Sequence, residues 1–445
     1  MVERMDEMAA AAVWGNGSGQ HKPDDDQIAL MIAPAWKDKV AFFRGSGHVY
    51  VKGYWQRRDP QEFLQWTRVV LRRLREYGVS VSARRIESVL KLVQYDLHVA
   101  ERILLEAERH QAHYINFRNG LLNLETGKLE EHRRDLYFIS QLDYDYDPDA
   151  DCPSFRQFLR TSLTDASGLE PDWETIQLVQ EAMGYSLTSR TDLQASFWLT
   201  GATGAGKSTL IKALMLVAGD MAGALDLNQL GTNRYQLATL VGKRLVTCTE
   251  SDTAVLPDGL FKALTGGGDA MQAEVKYESP FTFVPVAKLW WAMNDAPRTK
   301  DRSGALIRRL RPIVFNRTIP PEERDYELDA KLEQERAGIC AWALVGLKRL
   351  QRRGTFTMPK QSALWLEEYE RRNDHPRLFR DENMVAAAGH WVGAMELYNR
   401  YDTWCRSMGI RALGYPSMAA EWKRLGFHYR QVSAGSQYGG WRFKE

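Results

Sequence analysis

The 445-residue sequence has few cysteines, no long apolar run and almost no net charge. Its four cysteines are scattered singly without a C-x-x-C pair, which argues against a disulfide framework or a zinc site. No stretch approaches the roughly eighteen apolar residues of a membrane span, and the polar N-terminus does not resemble a signal peptide. Because 59 basic residues stand against 57 acidic ones, any nucleic-acid footprint must be local. We therefore expect a soluble cytoplasmic protein without a membrane partner.

A glycine-rich stretch near the middle of the chain carries the clearest chemical signal. An apolar run at 197–200 leads into it, and a helix is predicted at 210–217. The loop consists of Gly201, Ala202, Thr203, Gly204, Ala205, Gly206, Lys207, Ser208 and Thr209. It matches the G-x-x-x-x-G-K-[ST] phosphate loop in its strand–loop–helix context. Backbone N–H groups and the helix N-terminus suit phosphate oxygens, Lys207 would reach the β- and γ-phosphates, and Ser208 would hold Mg²⁺. We expect a nucleoside triphosphate here; a glycine-rich turn without function is the alternative.

Two buried-type strands are predicted downstream, and each ends in a polar side chain. One run covers 240–250 and ends at Glu250, which could polarise the attacking water and contact Mg²⁺ directly or through water. Thr249 stands where many such ATPases carry a second acid. The other run covers 287–295 and delivers Asn294, which could sense the γ-phosphate or hold the water. The carboxyl ends of parallel strands meet at one edge of a sheet, so both should lie beside the phosphate loop. A surface glutamate and a turn-forming asparagine are the alternatives.

Two arginines and a hairpin are candidates for contacts beyond the chain's own nucleotide. Arg308 and Arg309 follow the Asn294 strand, and such an arginine can stabilise charge on the phosphoryl group in a neighbouring subunit. The segment 273–283 is predicted as a hairpin with Lys276 and Tyr277 near its tip. The ammonium could meet a DNA phosphate and the ring could stack on a base or pack on a sugar. A basic helix end and an ordinary exposed hairpin are the alternatives.

Taken in order, these motifs resemble superfamily 3 helicases, most closely the helicase part of phage, plasmid and poxvirus-type primase-helicases. The likeness covers roughly residues 115–354. It implies an AAA+-type core that uses ATP and Mg²⁺, a hexameric ring and 3′-to-5′ translocation on single-stranded DNA. It also implies an arginine finger in trans, with Arg309 the better match and Arg308 the second. The likeness further implies a role in the replication of a mobile element in a bacterial or phage-infected cytoplasm. A separate primase or polymerase would be a further partner.

The expected fold class is α/β, with an AAA+-type P-loop ATPase core, a mainly helical N-terminal region and a C-terminal winged-helix-like domain. The predicted segments are a mobile tail at 1–27, a strand pair with helices at 28–114, a family-specific helical segment at 115–190, the ATPase core at 191–355, a helical linker at 356–390 and the winged-helix-like domain at 391–445.

The last of these segments carries a local basic excess. Helices followed by a hairpin are typical of a winged helix, and 391–445 holds eight basic residues against four acidic ones. The candidates for DNA contact are Lys423, Arg424, Arg430 and Arg442. A winged helix that docks a protein is the alternative.

Two other functions fit the same motifs. The chain could be a DNA-binding replication initiator in which ATP sets the assembly state and nothing is unwound. It could also be a structural or defence ring ATPase. The helicase is favoured, because the sequence supplies a water-activating carboxylate, a sensor amide and a trans arginine in one ordered set.

Overall fold

The computed structural model describes residues 22–226, 234–249, 256–274, 280–299, 301, 304–409, 411–433 and 435–444. Its first helix, α1 (Asp25–Trp36), begins inside the segment predicted as a tail, whose residues 1–21 lie outside the described chain. The Asp24 side chain accepts the Gln27 N–H, and the Gln27 side chain accepts the Asp24 N–H. This reciprocal cap explains why the helix starts here.

The N-terminal part combines two small antiparallel sheets with three further helices. Its elements are β1 (Val40–Phe43), β2 (Ser46–Val51), β3 (Tyr54–Arg57), α2 (Pro60–Arg73), α3 (Ala83–Asp96), α4 (Glu101–Gln111), β4 (Tyr114–Phe117), β5 (Gly120–Asn123) and β6 (Leu129–Glu130). The sequence predicts a strand pair in the first of these places, and the structure adds a third strand there. The second sheet, also three-stranded, falls at the start of the segment predicted as helical at 115–190. In the first sheet Trp55 of β3 pairs with Tyr50 and is buried, so the added strand covers the core.

A five-stranded parallel sheet forms the centre of the molecule. The elements of this part are α5 (Pro153–Ser162), α6 (Trp173–Ser186), β7 (Ser196–Gly201), α7 (Lys207–Ala218), β8 (Ala222–Ala224), β9 (Leu245–Thr249), α8 (Asp258–Gly266), β10 (Met271–Ala273), β11 (Phe281–Phe283), β12 (Lys288–Met293), β13 (Leu310–Phe315), α9 (Leu328–Gln334) and α10 (Arg336–Arg353). The sheet has the order β13-β7-β12-β9-β8. Phe197 and Trp290 pack into the core that contains α6 and α10, whereas Trp198 and Trp291 pack into the core that contains α8. Because successive residues of a strand face opposite sides of the sheet, these contacts show that both of its faces are covered.

Two predictions around this sheet differ in extent from the structure. The run predicted as a strand over 240–250 is a strand only at β9, because residues 234–240 form a 3-10 helix and Gly242 has a left-handed φ of 76°. The hairpin is present as β10 paired with β11. Its proposed DNA-contacting residues, Lys276 and Tyr277, lie outside the described residues.

The C-terminal part is a helical unit with a three-stranded antiparallel sheet of order β14-β16-β15. Its elements are α11 (Lys360–Asn373), α12 (His375–Asn383), β14 (Met384–Gly393), α13 (Ala394–Ser407), α14 (Tyr415–Arg424), β15 (His428–Val432) and β16 (Gly435–Phe443). Over the described ranges, no helix combines the length and the apolar character that crossing a bilayer requires.

The helical linker predicted at 356–390 does not exist as one unit. Its first helix, α11, packs with the central sheet, because Tyr369 is buried in the core that contains α8 and Ser362 Oγ donates to Pro312 O at 2.6 Å. Its end belongs to the C-terminal part, because Phe379 and Met384 are buried in that core. Strand β14 was missed because its partner, β16, lies some fifty residues further along the chain.

Candidate active site

The phosphate loop is held in place by close packing against two neighbouring elements. Gly201 has a φ of 144°, and a Cβ there would lie 2.4 Å from the carbonyl oxygen of Phe315. Gly206 has a φ of 102°, and a Cβ there would lie 2.9 Å from Ser162 Oγ. Side chains at these two positions would be both strained and obstructed, so glycine is required. The loop is thus seated between β13 and α5.

Lys207 begins α7 and is nearly buried. Its Nζ donates to the carbonyl oxygens of Gly201 (2.6 Å) and Ala202 (2.9 Å) and to Asn294 Oδ1 (3.0 Å). Asn294 is in reach because Met293 of β12 pairs with Thr200 of β7. Two residues predicted from separate strands therefore meet, and the ammonium is fully engaged by loop oxygens and the Asn294 amide.

The strand that precedes Glu250 ends at the same edge of the sheet. Thr249 of β9 is level with Ala292 of β12, so the chain leaves β9 close to Asn294. Glu250 itself lies outside the described residues. Ser208 is exposed in the first turn of α7 and lines the cavity above the loop. Among the described residues, no group of three or more His, Cys, Asp or Glu side chains is arranged to hold a metal.

A cavity of about 810 Å³ opens above the phosphate loop. Residues 203–209 form its floor, α5 forms one wall, and residues 319–329 form another. The guanidinium of Arg324 donates from Nε to Ile319 O at 3.1 Å. A Cβ on Gly204 would lie 3.2 Å from Arg324 Nη2, so this cation stands directly beside the loop.

Sequence reasoning gave no role to Arg324 or to its neighbour Tyr326, which also lines the cavity. The signal available was the run 319–325, which belongs to the family likeness but has no strand or helix pattern of its own. Its placement depends on a backbone contact, Ile319 N to Gly204 O at 3.1 Å, that joins the run to the phosphate loop.

The two candidate trans arginines lie at the opposite edge of the sheet from the phosphate loop. Leu310 pairs with Ser196 at one end of β13, and Phe315 pairs with Gly201 at the other. At about 3.3 Å per residue, roughly 17 Å separates the two edges. Arg309 is buried and donates to the carbonyl of Ala305, and burial lowers its pKa. Arg308 is exposed. Of the two candidates, Arg308 is therefore the accessible one, whereas Arg309 is held within the fold.

Two of the four C-terminal DNA candidates are engaged within the chain. Arg424 forms 2.7 Å contacts with Asp374 and Glu421. Arg430 stacks on the Trp391 ring at 3.9 Å. All four candidates are exposed, and Arg442 also interacts with another group of the chain.

Comparison with known proteins relates the chain to viral proteins. Residues 29–163 match the family model described as D5 N terminal like, and residues 199–309 match a family of unknown function, DUF5906. "Putative helicase L207/L206" of Acanthamoeba polyphaga mimivirus is 24% identical over 324 residues, which are 66% of this chain and 33% of the viral protein. "Putative helicase V13" of Sputnik virophage is 25% identical over 173 residues, 34% of this chain and 22% of that protein. The chain is a homologue of viral proteins named as helicases.

For this helicase homologue, the resemblance to primase-helicases inferred from the motifs is confirmed. The D5-type match begins at residue 29, so the relationship extends further towards the N-terminus than the predicted start at 115. The matched region spans a third or less of each of the two viral relatives. The apo structure of the NrS-1 C-terminal region aligns with a TM-score of 0.51 and 10% identity, over 90% of this chain and 94% of that one. That likeness concerns the mixed α/β fold alone.

Proposed function

We propose that the chain is an ATP-dependent DNA helicase of superfamily 3, with an AAA+-type core that acts as a hexameric ring. It translocates 3′-to-5′ on single-stranded DNA in the replication of a phage, plasmid or other mobile element, with a primase or polymerase as a separate partner. The observation that carries this proposal is the 3.0 Å contact between Lys207 Nζ and Asn294 Oδ1 at the carboxyl edge of the sheet. The viral relatives named as helicases support the same function.

The cavity above the phosphate loop fits a nucleoside triphosphate. Its volume is within the usual range for small-molecule sites, and its floor presents backbone N–H groups at a helix N-terminus. Lys207 binds the β- and γ-phosphates after it leaves the loop carbonyls, and Arg324 adds a second cation. Ser208 is the residue that would hold Mg²⁺, which neutralises phosphate charge when bound. Glu250 activates the attacking water, and Asn294 orients it.

Arg308 completes the nucleotide site of a neighbouring subunit. Its own phosphate loop is at the far edge of the sheet, so it cannot serve that site. In a ring, the exposed edge that carries Arg308 can face the cavity of the next subunit, and a guanidinium there stabilises charge on the transferring phosphoryl group. Arg309 is buried next to Arg308 and holds this segment in place from within the fold.

DNA contacts are assigned to the hairpin and to the C-terminal part. Lys276 and Tyr277 grip the single strand in the ring channel, and the winged-helix-like unit contacts duplex DNA through its exposed basic residues Lys423, Arg424, Arg430 and Arg442. Lys276→Ala should keep basal ATP hydrolysis but lose its stimulation by single-stranded DNA. If stimulation survives in that variant, the hairpin does not grip the strand.

A forked-duplex unwinding assay tests the function as a whole. Lys207→Ala should abolish ATP hydrolysis and strand displacement, because the ammonium that binds the β- and γ-phosphates is lost. Lys348→Ala is the matched control, since this exposed lysine of α10 is remote from the loop in sequence and lines none of its cavity. Full unwinding by the Lys207 variant would exclude the helicase assignment.

The same assay separates the two rival functions. DNA-stimulated ATP hydrolysis without displacement of a strand would indicate a replication initiator. Assembly into a ring without any DNA-stimulated hydrolysis would indicate a structural or defence role.

A further inference from the structure

A second cavity, of about 340 Å³, lies between the N-terminal part and the ATPase core. Helix α4 and residues 137–140 form one side, and the residues before β9 and around the base of the hairpin form the other. Arg244 lies just before β9, where Leu245 pairs with Lys288 at the amino edge of the sheet. The phosphate loop is at the carboxyl edge, so this cavity is separate from the nucleotide site.

The wall of this cavity contains a buried cation whose side-chain hydrogen bond, among the described residues, is to a neutral group. Arg244 is 6% exposed, and its Nη2 donates to Gln111 Oε1 at 3.1 Å. The acidic group on the same wall, Glu108, instead forms an ion pair with Arg44. Burial lowers the pKa of Arg244 to about 10, although the charge of Glu108 partly offsets this. A guanidinium stays charged at neutral pH and has five N–H donors, so it favours an anion in the space beside it.

Two other polar atoms on the wall lack partners within the described residues. Ser189 is 7% exposed and its Oγ has no hydrogen bond, and Glu108 Oε2 is likewise without one. The cavity therefore offers donors from Arg244 and Ser189 together with one acceptor, the second oxygen of Glu108. A suitable ligand is an oxyanion that also carries a proton it can donate.

We infer that this cavity is a binding site for inorganic phosphate. Phosphate near pH 7 keeps at least one P–OH group, which can donate to Glu108 Oε2 while the other oxygens accept from Arg244 and Ser189. Sulfate has the same shape but no proton, and a phosphate monoester, with its second pKa about 6, has mostly lost it. Binding of phosphate to this cavity does not depend on the proposed ATPase activity, although ATP hydrolysis would produce inorganic phosphate.

Phosphate here would also brace the hairpin. Gly268 and Ala270 lie just before β10 and Phe283 ends β11, so all three belong to the cavity wall and to the base of the hairpin, where Met271 pairs with Phe283. A bound anion would fill the space between this hairpin base and α4.

Thermal unfolding of the full chain tests the site. The melting temperature should rise with phosphate concentration at constant ionic strength, and the rise should persist in Lys207→Ala, in which phosphate binding at the phosphate loop is weakened. Arg244→Met should lower the phosphate affinity about tenfold or more, since it removes a charge-assisted hydrogen bond. Ser189→Ala, a smaller change that keeps the buried cation, should lower it about fivefold.

Sulfate, a mononucleotide and a further variant distinguish specific binding from general salt effects. Sulfate should raise the melting temperature equally in the wild type and Arg244→Met, because salt exclusion from the surface does not need the cavity. Glu108→Gln should allow sulfate to bind, since the amide can donate. In the Lys207→Ala background, a mononucleotide that raises the melting temperature where inorganic phosphate does not would overturn the choice of free phosphate. The site is excluded if phosphate has no effect beyond sulfate in the wild type, if Arg244→Met keeps the full effect, or if Lys207→Ala loses it.

Discussion

The contact between Lys207 and Asn294 predicts how a single-atom change should affect ATP binding. In the structure, the Lys207 ammonium is held by two loop carbonyls and by Asn294 Oδ1 at 3.0 Å. It must leave these oxygens to reach the phosphates. Asn294→Asp keeps the side-chain shape but places a negative charge beside the ammonium. The variant should therefore hold Lys207 in its resting position and repel the incoming triphosphate.

The size of this effect can be worked from the distance. Two unit charges about 3 Å apart attract by about 5 kcal/mol at an effective dielectric constant of about 20. The neutral amide already contributes about 1.5 kcal/mol through its hydrogen bond to a charged group. Asn294 is exposed, so solvent screening lowers the remaining difference to about 2 kcal/mol. That corresponds to about a thirtyfold rise in the Kd for ATP.

Equilibrium titration with a fluorescent, non-hydrolysable ATP analogue measures the change. The Kd of Asn294→Ala for the analogue should stay within about threefold of the wild-type value, because the ammonium keeps both carbonyl partners. The variant also loses the amide that orients the water. Asp295→Asn is a matched control, since this substitution at the adjacent exposed residue removes a negative charge instead of adding one. If Asn294→Asp binds within threefold of the wild type, the ammonium is not restrained by residue 294 before ATP binds.

Four further predictions concern other parts of the chain. Glu181→Gln should lower the free energy of unfolding in urea by about 3 kcal/mol, because this fully buried carboxylate binds two arginines of α10; a loss below about 1 kcal/mol would contradict this. Arg308→Ala should lower the rate of ATP hydrolysis in the assembled ring about a hundredfold and leave the ATP affinity unchanged. Arg309→Ala should mainly lower the melting temperature. The opposite pattern would restore Arg309 as the trans residue. Arg324→Ala should weaken ATP binding about tenfold, with partial recovery in Arg324→Lys, and an unchanged Kd would remove Arg324 from the site. Burial lowers the pKa of His48 to about 3 from an unfolded value near 6.5. The unfolded chain therefore binds the proton more readily than the folded one. The contribution of His48 to the free energy of unfolding is fully present above pH 6.5 and is lost as the pH drops towards 3. Between pH 6.5 and 5 the loss should be about 2 kcal/mol in urea titrations, and His48→Gln should remove that part of the pH dependence.

Local sequence patterns were sufficient for the parts of the site that lie on strand ends. The phosphate loop is recognisable because its glycines, Lys207 and Ser208 have fixed spacing, and Asn294 follows an apolar run that can only be a buried strand. The general rule that parallel strands end at one edge brought Lys207 and Asn294 together without any coordinates.

Long-range packing accounts for what the patterns missed. Arg324 lies in an irregular run, and the backbone contact of Ile319 in that run with Gly204 brings it to the phosphate loop. Arg308 and Arg309 are adjacent in sequence and chemically identical, so no pattern separates them. The 3-10 turn before β13 buries one and exposes the other.

The sequence by itself therefore determined the phosphate-loop motif, the α/β class and the likeness to primase-helicases, because each rests on short-range spacing and strand periodicity. Only the tertiary structure decided which arginine faces outward, where the C-terminal part begins and that a buried cation lines a second cavity. These depend on which distant segments pack together, and burial of a side chain is a property of the assembled core rather than of its neighbours in sequence.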